Sequence, residues 1–202
     1  MLPKGSFATL ANGFQFHYHD GGQGDVVLFL HGSGTGASGF TNFKKNIDFF
    51  QRNGFRTIVP DLPGYGFSDK PEDEIYTMSF FNNLLLELLD HLNIANCSVV
   101  GNSLGGALAM GLSLEQPKRF SKLILMAPGG LEDFNAYQEM PGIKKLLGDF
   151  LGGEMNQEKI EGLLKLFPYD PSFVTKDIIE DRMEILPLMN QQVLASMDIP
   201  NL

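Results

Sequence analysis

Near the start of the chain, residues 6–10 and 14–18 are two short β-type stretches, the second closed by Asp20-Gly21-Gly22. Short strand-like runs bounded by turn residues predict strands, here paired as a hairpin. Residues 26–30, Val-Val-Leu-Phe-Leu, are apolar without a break, as in a strand buried on both faces. From there helical and strand-like segments take turns: helices are predicted over residues 41–52, 79–92 and 103–116, and strands over 56–59, 97–100 and 122–126. That alternation predicts an α/β fold with a mainly parallel, doubly wound sheet. After Pro128-Gly129-Gly130 the pattern changes. Residues 131–202 show helical periodicity, several methionines and phenylalanines, breaks at Gly152-Gly153 and Pro168-Tyr169-Asp170-Pro171, and no strand-like run. The chain therefore divides into a core, residues 1–130, and a helical lid, residues 131–202, placed after the sixth main strand.

Composition narrows the function classes. A chain of 202 residues with 43% apolar and 19% charged positions is ordinary for a globular protein with a sizeable core. The net charge of -9, with no cluster of Lys and Arg, argues against a nucleic-acid partner. The most apolar helical stretch, residues 84–92, is interrupted by Glu87, Asp90 and His91 and is too short to cross a bilayer. Residues 1–10 hold no signal-peptide core, so neither secretion nor a membrane partner is expected. Cys97 is the only cysteine; it reads as a small buried hydrophobe and fits a reducing, cytoplasmic compartment.

The chemistry gathers where predicted strands end, at His31, Asp61, Ser103 and Pro128. Gly101-Asn102-Ser103-Leu104-Gly105 fits G-x-S-x-G between an apolar strand and a helix, the context of a nucleophile elbow. Ser103 is the nucleophile candidate. His31-Gly32-Ser33-Gly34-Thr35-Gly36 follows the strand of residues 26–30, and a glycine-rich loop lets backbone amides approach an oxyanion closely. The backbone N–H groups of Ser33 and Leu104 are the expected donors. Gly32-x-Gly34-x-x-Ala37, with Asp61 ending the next strand, also fits a dinucleotide fingerprint, but it would leave the serine elbow unexplained. Asp61 opens a tight loop through Ser68 and precedes the nucleophile, the wrong chain order for a triad acid, so its expected role is structural. His17 and His19 share a strand face and invite a metal reading. Nothing in the sequence completes a ligand set, so they are expected as surface strand histidines, and no metal or cofactor is implied. His91 reads as a favourable cation at a helix C-terminus.

Taken together, these loops resemble the α/β-hydrolase superfamily and, within it, the meta-cleavage product hydrolases of aromatic catabolism. The marks are His31-Gly32-Ser33-Gly34 with Gly36-Ala37-Ser38-Gly39, Asn42, Asp61 through Ser68, Gly101 through Gly106, and Met126-Ala127-Pro128-Gly129-Gly130-Leu131. Phe167-Pro168-Tyr169-Asp170 and Asp181-Arg182-Met183-Glu184 are similar as well. The resemblance implies an α/β-hydrolase fold and a serine-type hydrolase cleaving a C–C bond in a 2-hydroxy-6-oxo-hexa-2,4-dienoate-like compound. It implies Ser103 as nucleophile, Ser33 and Leu104 as the oxyanion hole, and Asn42, Asn102 and Arg182 as binders of the dienoate's polar end. A small-molecule substrate is the implied partner, without a cofactor.

The sequence departs from that family in places. Thr35 stands where the family usually has proline, and Phe40 and Met183 where it often has tryptophan. The four histidines, His17, His19, His31 and His91, all precede Ser103, whereas the fold's order is Ser, then Asp or Glu, then His. The expectation is therefore a hydrolase core and lid that stop short of the triad acid and histidine, weak or inactive by themselves. Residues 122–126 would then be a bare apolar edge that invites association between copies. A carboxylesterase-like member of the same fold, and a non-catalytic ligand-binding form of it, are the alternatives.

Overall fold

The unbroken apolar run of residues 26–30 lies at the centre of the sheet in the computed structural model, which describes residues 2–150 and 155–189. It belongs to β3 (Asp25–Leu30), which runs parallel to β4 (Phe55–Pro60) on one side and β5 (Cys97–Asn102) on the other. β6 (Phe120–Met126) continues the parallel set beyond β5. On the opposite flank β2 (Gln15–Gly21) pairs antiparallel with β4 and, as a hairpin, with β1 (Ser6–Thr9), giving the order β1-β2-β4-β3-β5-β6.

Successive β3 side chains point to opposite faces, and both faces are covered. Val27 and Phe29 pack with Phe43 and Ile47 of α1 (Gly39–Arg52). Leu28 and Leu30 join the larger core on the other face, with Leu85 and Leu88 of α2 (Met78–His91) and Leu108 of α3 (Leu104–Glu115). Burying each such Leu, Ile or Phe is worth about 1.5–3 kcal/mol, so the sheet's centre is the firmest platform available for a site. Cys97 lies in this core, 3% exposed, and burial pushes its thiol up to about 12.

β6 borders the sheet among the described residues. Its apolar side chains are open, with Ile124 52%, Leu125 37% and Met126 42% exposed.

One sequence expectation is corrected in β2. His17 is not a surface histidine; it is 4% exposed, between the buried Phe16 and Tyr18. Period-two alternation fails there because the loop after β4 covers the strand's outer face, and His17 Nδ1–H donates to Asp61 Oδ2 at 2.8 Å.

After β6 the described residues hold no further strand. They form α4 (Phe134–Glu139), α5 (Pro141–Phe150), α6 (Gln157–Leu164) and α7 (Lys176–Ile185), with a 3₁₀ turn at Pro171–Phe173 where the proline break was expected. Ile160, Leu164 and Ile179 form a small core of their own, backed by Met155, Val174 and Met183. The break expected at Gly152-Gly153 and the chain end at Asn201-Leu202 lie outside the described residues. Among the described residues no helix is long and apolar enough to cross a membrane.

Candidate active site

Ser103 sits between the end of β5 and the start of α3 with φ 53° and ψ -114°, a conformation a non-glycine residue adopts only under strain. The turn is held by its surroundings. Ser103 N–H donates to Met126 O at 3.0 Å, and Ser103 O accepts from Gly106 N–H at 2.9 Å and from Gly129 N–H at 3.1 Å. The sharpness of the turn depends on Gly105, where a Cβ would stand 2.0 Å from Leu30 O; only glycine lets α3 begin so close to the end of β3. This is the elbow geometry expected from the G-x-S-x-G spacing.

That close approach brings the loop after β3 alongside the serine. A Cβ built on Gly32 would lie 3.1 Å from Ser103 Cβ and 3.3 Å from Asn102 Nδ2, so the His31-to-Gly36 loop borders the hydroxyl directly. Among the described residues, neither the Ser33 nor the Leu104 N–H has a protein acceptor. Two such donors flanking a serine can stabilise negative charge on an oxygen bound there. The Ser33 side chain is tied to the buried Tyr65 hydroxyl, which steadies the loop.

The loop passes into α1 through a capping box: Thr41 N–H donates to Ser38 Oγ at 3.1 Å, and Ser38 N–H to Thr41 Oγ1 at 2.9 Å. This fixes the first turn of α1 and with it Asn42, whose Nδ2 donates to Ser38 O at 3.3 Å. Asn42 Oδ1 accepts from Asn102 Nδ2 at 3.2 Å, so the two amides form one polar unit next to the elbow.

Arg182 arrives from α7. Its Nη1 donates to Thr35 O at 3.2 Å, and a Cβ on Gly36, at φ +66°, would lie 2.6 Å from Arg182 O. The glycine thus lets α7 press its backbone onto the loop. Burial pushes the guanidinium down to about 10, so it stays charged at neutral pH. It has no carboxylate partner among the described residues, and its Nε is buried without an acceptor. A desolvated cation with unspent donors is a receptor for an anion with planar oxygens.

The structure thus brings together all six residues singled out in the sequence: Ser103, Ser33, Leu104, Asn42, Asn102 and Arg182. Two others turn out to be scaffolding. Asp61 Oδ1 accepts from Gly39 N–H at 2.8 Å and Oδ2 from Phe67 N–H at 2.9 Å as well as from His17. His31 donates from Nδ1 to Gly32 O at 2.8 Å and accepts at Nε2 from Leu62 N–H at 2.9 Å. Burial pushes His31 down to about 4, and with both ring nitrogens engaged it has none left for Ser103. Among the described residues no group of three His, Cys, Asp or Glu side chains could hold a metal.

Lys44 carries no mark in the sequence. From α1 it is ion-paired with Asp177 at 2.7 Å and with Asp181, both on α7. The cation and its carboxylates are too distant in sequence for any local pattern to pair them.

Comparison with known proteins places this geometry in context. A family model described as alpha/beta hydrolase fold matches residues 25–157. The 2-hydroxy-6-oxo-6-phenylhexa-2,4-dienoate hydrolase of Burkholderia cepacia is 38% identical over 171 residues, covering 84% of this chain and 59% of that protein. The 2-hydroxy-6-oxononadienedioate/2-hydroxy-6-oxononatrienedioate hydrolase of Comamonas testosteroni is 37% identical, with coverages of 84% and 59%. The chain thus spans 59% of the length of both curated relatives. Among solved structures, a meta-cleavage product hydrolase from Pseudomonas fluorescens IP01 superposes with a TM-score of 0.79 at 30% identity, covering 96% of this chain and 66% of that one.

Proposed function

The chain belongs to the alpha/beta hydrolase fold family, and from that premise we propose that it recognises a 2-hydroxy-6-oxo-hexa-2,4-dienoate-type product of aromatic ring cleavage, with Ser103 placed to attack the keto carbon. The observation that carries the reading is Arg182, a desolvated guanidinium that has no counter-ion among the described residues and lies against the loop that borders Ser103. A plain ester offers such a cation no negative charge, whereas a dienoate carries a carboxylate and an enol oxygen. Arg182 takes the carboxylate, and the Asn42–Asn102 amides take the enol end. The keto oxygen, negative once Ser103 Oγ has bonded to its carbon, sits between the Ser33 and Leu104 N–H groups. With the dienoate in its 2-keto form, the C–C bond breaks and its electron pair passes into that fragment as a dienolate, which takes up the proton given up by Ser103 Oγ; water then releases the acyl group from the serine as a carboxylic acid. The helical segment from residue 131 acts as the lid, and action in the cytoplasm belongs to the same proposal, supported by the single buried cysteine.

A second reading has an observation of its own. Ser103 needs a base, and His31 is fully engaged while His17 spends its Nδ1 on Asp61. These residues by themselves therefore suit binding better than turnover.

A titration of the chain with 2-hydroxy-6-oxo-6-phenylhexa-2,4-dienoate, followed by the absorbance of the dienoate, tests the first reading. Binding is expected, little changed in Ser103→Ala and weakened about 10- to 100-fold in Arg182→Met, the value of charge-assisted hydrogen bonds. Equal binding by wild type and Arg182→Met would remove the basis of the proposal. Bleaching by a fusion that carries the carboxy-terminal segment of the Burkholderia relative, abolished by Ser103→Ala, separates enzyme from binder. A fusion that cleaves p-nitrophenyl esters and leaves the dienoate intact would favour an esterase.

A further inference from the structure

α7 is an acidic helix. Asp177, Glu180, Asp181 and Glu184 lie within five positions of Arg182, yet none of them pairs with it among the described residues. Each is held elsewhere. Glu180 pairs with Lys176 at 3.1 Å, and Glu184 accepts from Leu2 N–H at 3.2 Å. Asp177 and Asp181 both meet Lys44, whose side chain is 17% exposed; Asp181 is 12% exposed and Asp177 58%. Lys44 stands two positions beyond Asn42 on α1, so the helix that presents the amide pair to the site also presents the ammonium to α7. Asp181 and Arg182 are adjacent in a helix and point in different directions, Asp181 towards α1 and Arg182 towards Thr35.

We propose that Lys44 is a positioning residue for anion recognition: by holding Asp177 and Asp181 against α1, it leaves the Arg182 guanidinium without a counter-ion and open to a substrate carboxylate. This rests on the dienoate reading for the identity of the anion, not for the arrangement of charges. Without Lys44, Asp181 is a buried carboxylate lacking a cation, and Arg182, the next residue, carries a buried Nε without an acceptor. The helix would then satisfy its own arginine, and the substrate would have to displace an internal carboxylate before binding.

The alternative is that Lys44 merely latches α7 to α1. Four forms of the chain separate the two, with 2-hydroxy-6-oxo-6-phenylhexa-2,4-dienoate as the probe in isothermal titration. Lys44→Met is expected to weaken binding about tenfold or more. Lys44→Arg, which can still hold both carboxylates, stays near wild type. The decisive form is Lys44→Met with Asp177→Asn and Asp181→Asn, in which the two carboxylates that Lys44 held are gone; its affinity is expected to return to within about threefold of wild type. A simple latch predicts that this triple variant stays as weak as Lys44→Met, and that result would overturn the proposal. If Lys44→Met does not fold, Asp177→Asn with Asp181→Asn in the Lys44 background decides: retained affinity supports the proposal, and lost affinity means a latch.

The Arg182 Nε–Hε resonance gives a readout independent of substrate, readily assigned in a chain with four arginines. It is expected to move on Lys44→Met and to return in the triple variant. No movement refutes the role of Lys44 even if the dienoate binds. Failure of the dienoate to bind wild type, with the resonance behaving as expected, refutes only the identity of the anion.

Discussion

Asp61→Asn removes one charge and almost no volume, so it isolates what the buried carboxylate does. Asp61 is 1% exposed and accepts three hydrogen bonds, two at Oδ2 from His17 and Phe67 and one at Oδ1 from Gly39. An amide has one acceptor oxygen. If that oxygen takes the place of Oδ2, the NH₂ group faces the Gly39 N–H; in the other orientation it faces two donors. At least one buried donor is therefore left unpaired, at about 1–3 kcal/mol, and the remaining bonds lose charge assistance worth about 1 kcal/mol each. The expected loss is about 3–5 kcal/mol out of a total stability of about 5–15. With a urea slope of about 3 kcal/mol per M, the top of the usual range, the unfolding midpoint falls by about 1–1.7 M.

The pH dependence sharpens the test. Burial alone would raise the Asp61 carboxyl, but the hydrogen bond and charge of His17 and the Phe67 N–H outweigh it and hold it below its ordinary 3.8. A depressed carboxyl stabilises the fold fully above the unfolded value, and this contribution is lost as pH falls through the folded one. Asn cannot titrate, so the gap between wild type and Asp61→Asn must be widest near neutrality and narrow below about pH 4. Urea midpoints followed by circular dichroism from about pH 7 to about pH 3 measure it. A gap under about 1 kcal/mol at neutral pH, or one that widens in acid, would refute the reasoning.

Two further outcomes follow from the same geometry. Because His31 is pushed down to about 4 from its ordinary 6.5, the unfolded chain takes up its proton first, and stability should fall between those values by about 3 kcal/mol; His31→Gln should flatten that stretch of the urea-midpoint profile, and an unchanged slope would count against it. Gly105→Ala should cost more than about 3 kcal/mol, or abolish soluble expression, since its Cβ would meet Leu30 O at 2.0 Å; a melting temperature close to wild type would show that the elbow can relax.

What was legible in the sequence was local. The apolar run of β3 and the spacing of Gly101, Ser103 and Gly105 each constrain a few consecutive residues, and steric demands of that kind survive in the linear pattern. The strand–helix order followed from periodicity for the same reason. The His17–Asp61 bond was not legible, because it depends on the register in which Tyr18 faces Pro60, and periodicity does not fix register between strands distant in sequence. The burial of β2 on both faces came from a loop that no alternation could announce. Arg182 was named only through family resemblance; by pattern alone it is one cation on an acidic helix, and the signal that sets it apart, the separate engagement of every neighbouring carboxylate, exists only in three dimensions.

The site is built in two halves with different mechanical support. β3 and β5 are adjacent and parallel, so their carboxyl ends open at the same edge of the sheet, and the loop after one must meet the turn after the other. Ser103, Leu104 and Ser33 are therefore fixed by the core itself. Arg182 is not: it rides on α7, whose polar hold on the rest of the chain includes the Lys44 pairs, the Leu2–Glu184 bond and the Thr35 carbonyl, beside the close contact at Gly36 and the buried Ile185. Ion pairs and hydrogen bonds of this partly exposed kind are worth far less than the many buried leucines and phenylalanines that clamp β3. Opening of α7 should therefore cost a fraction of the energy needed to disturb the elbow. An anion bridging Arg182 and the Asn42–Asn102 pair would join the weak half to the strong one, so that, on the proposed reading, binding of a substrate's carboxylate end would align its keto carbon over Ser103.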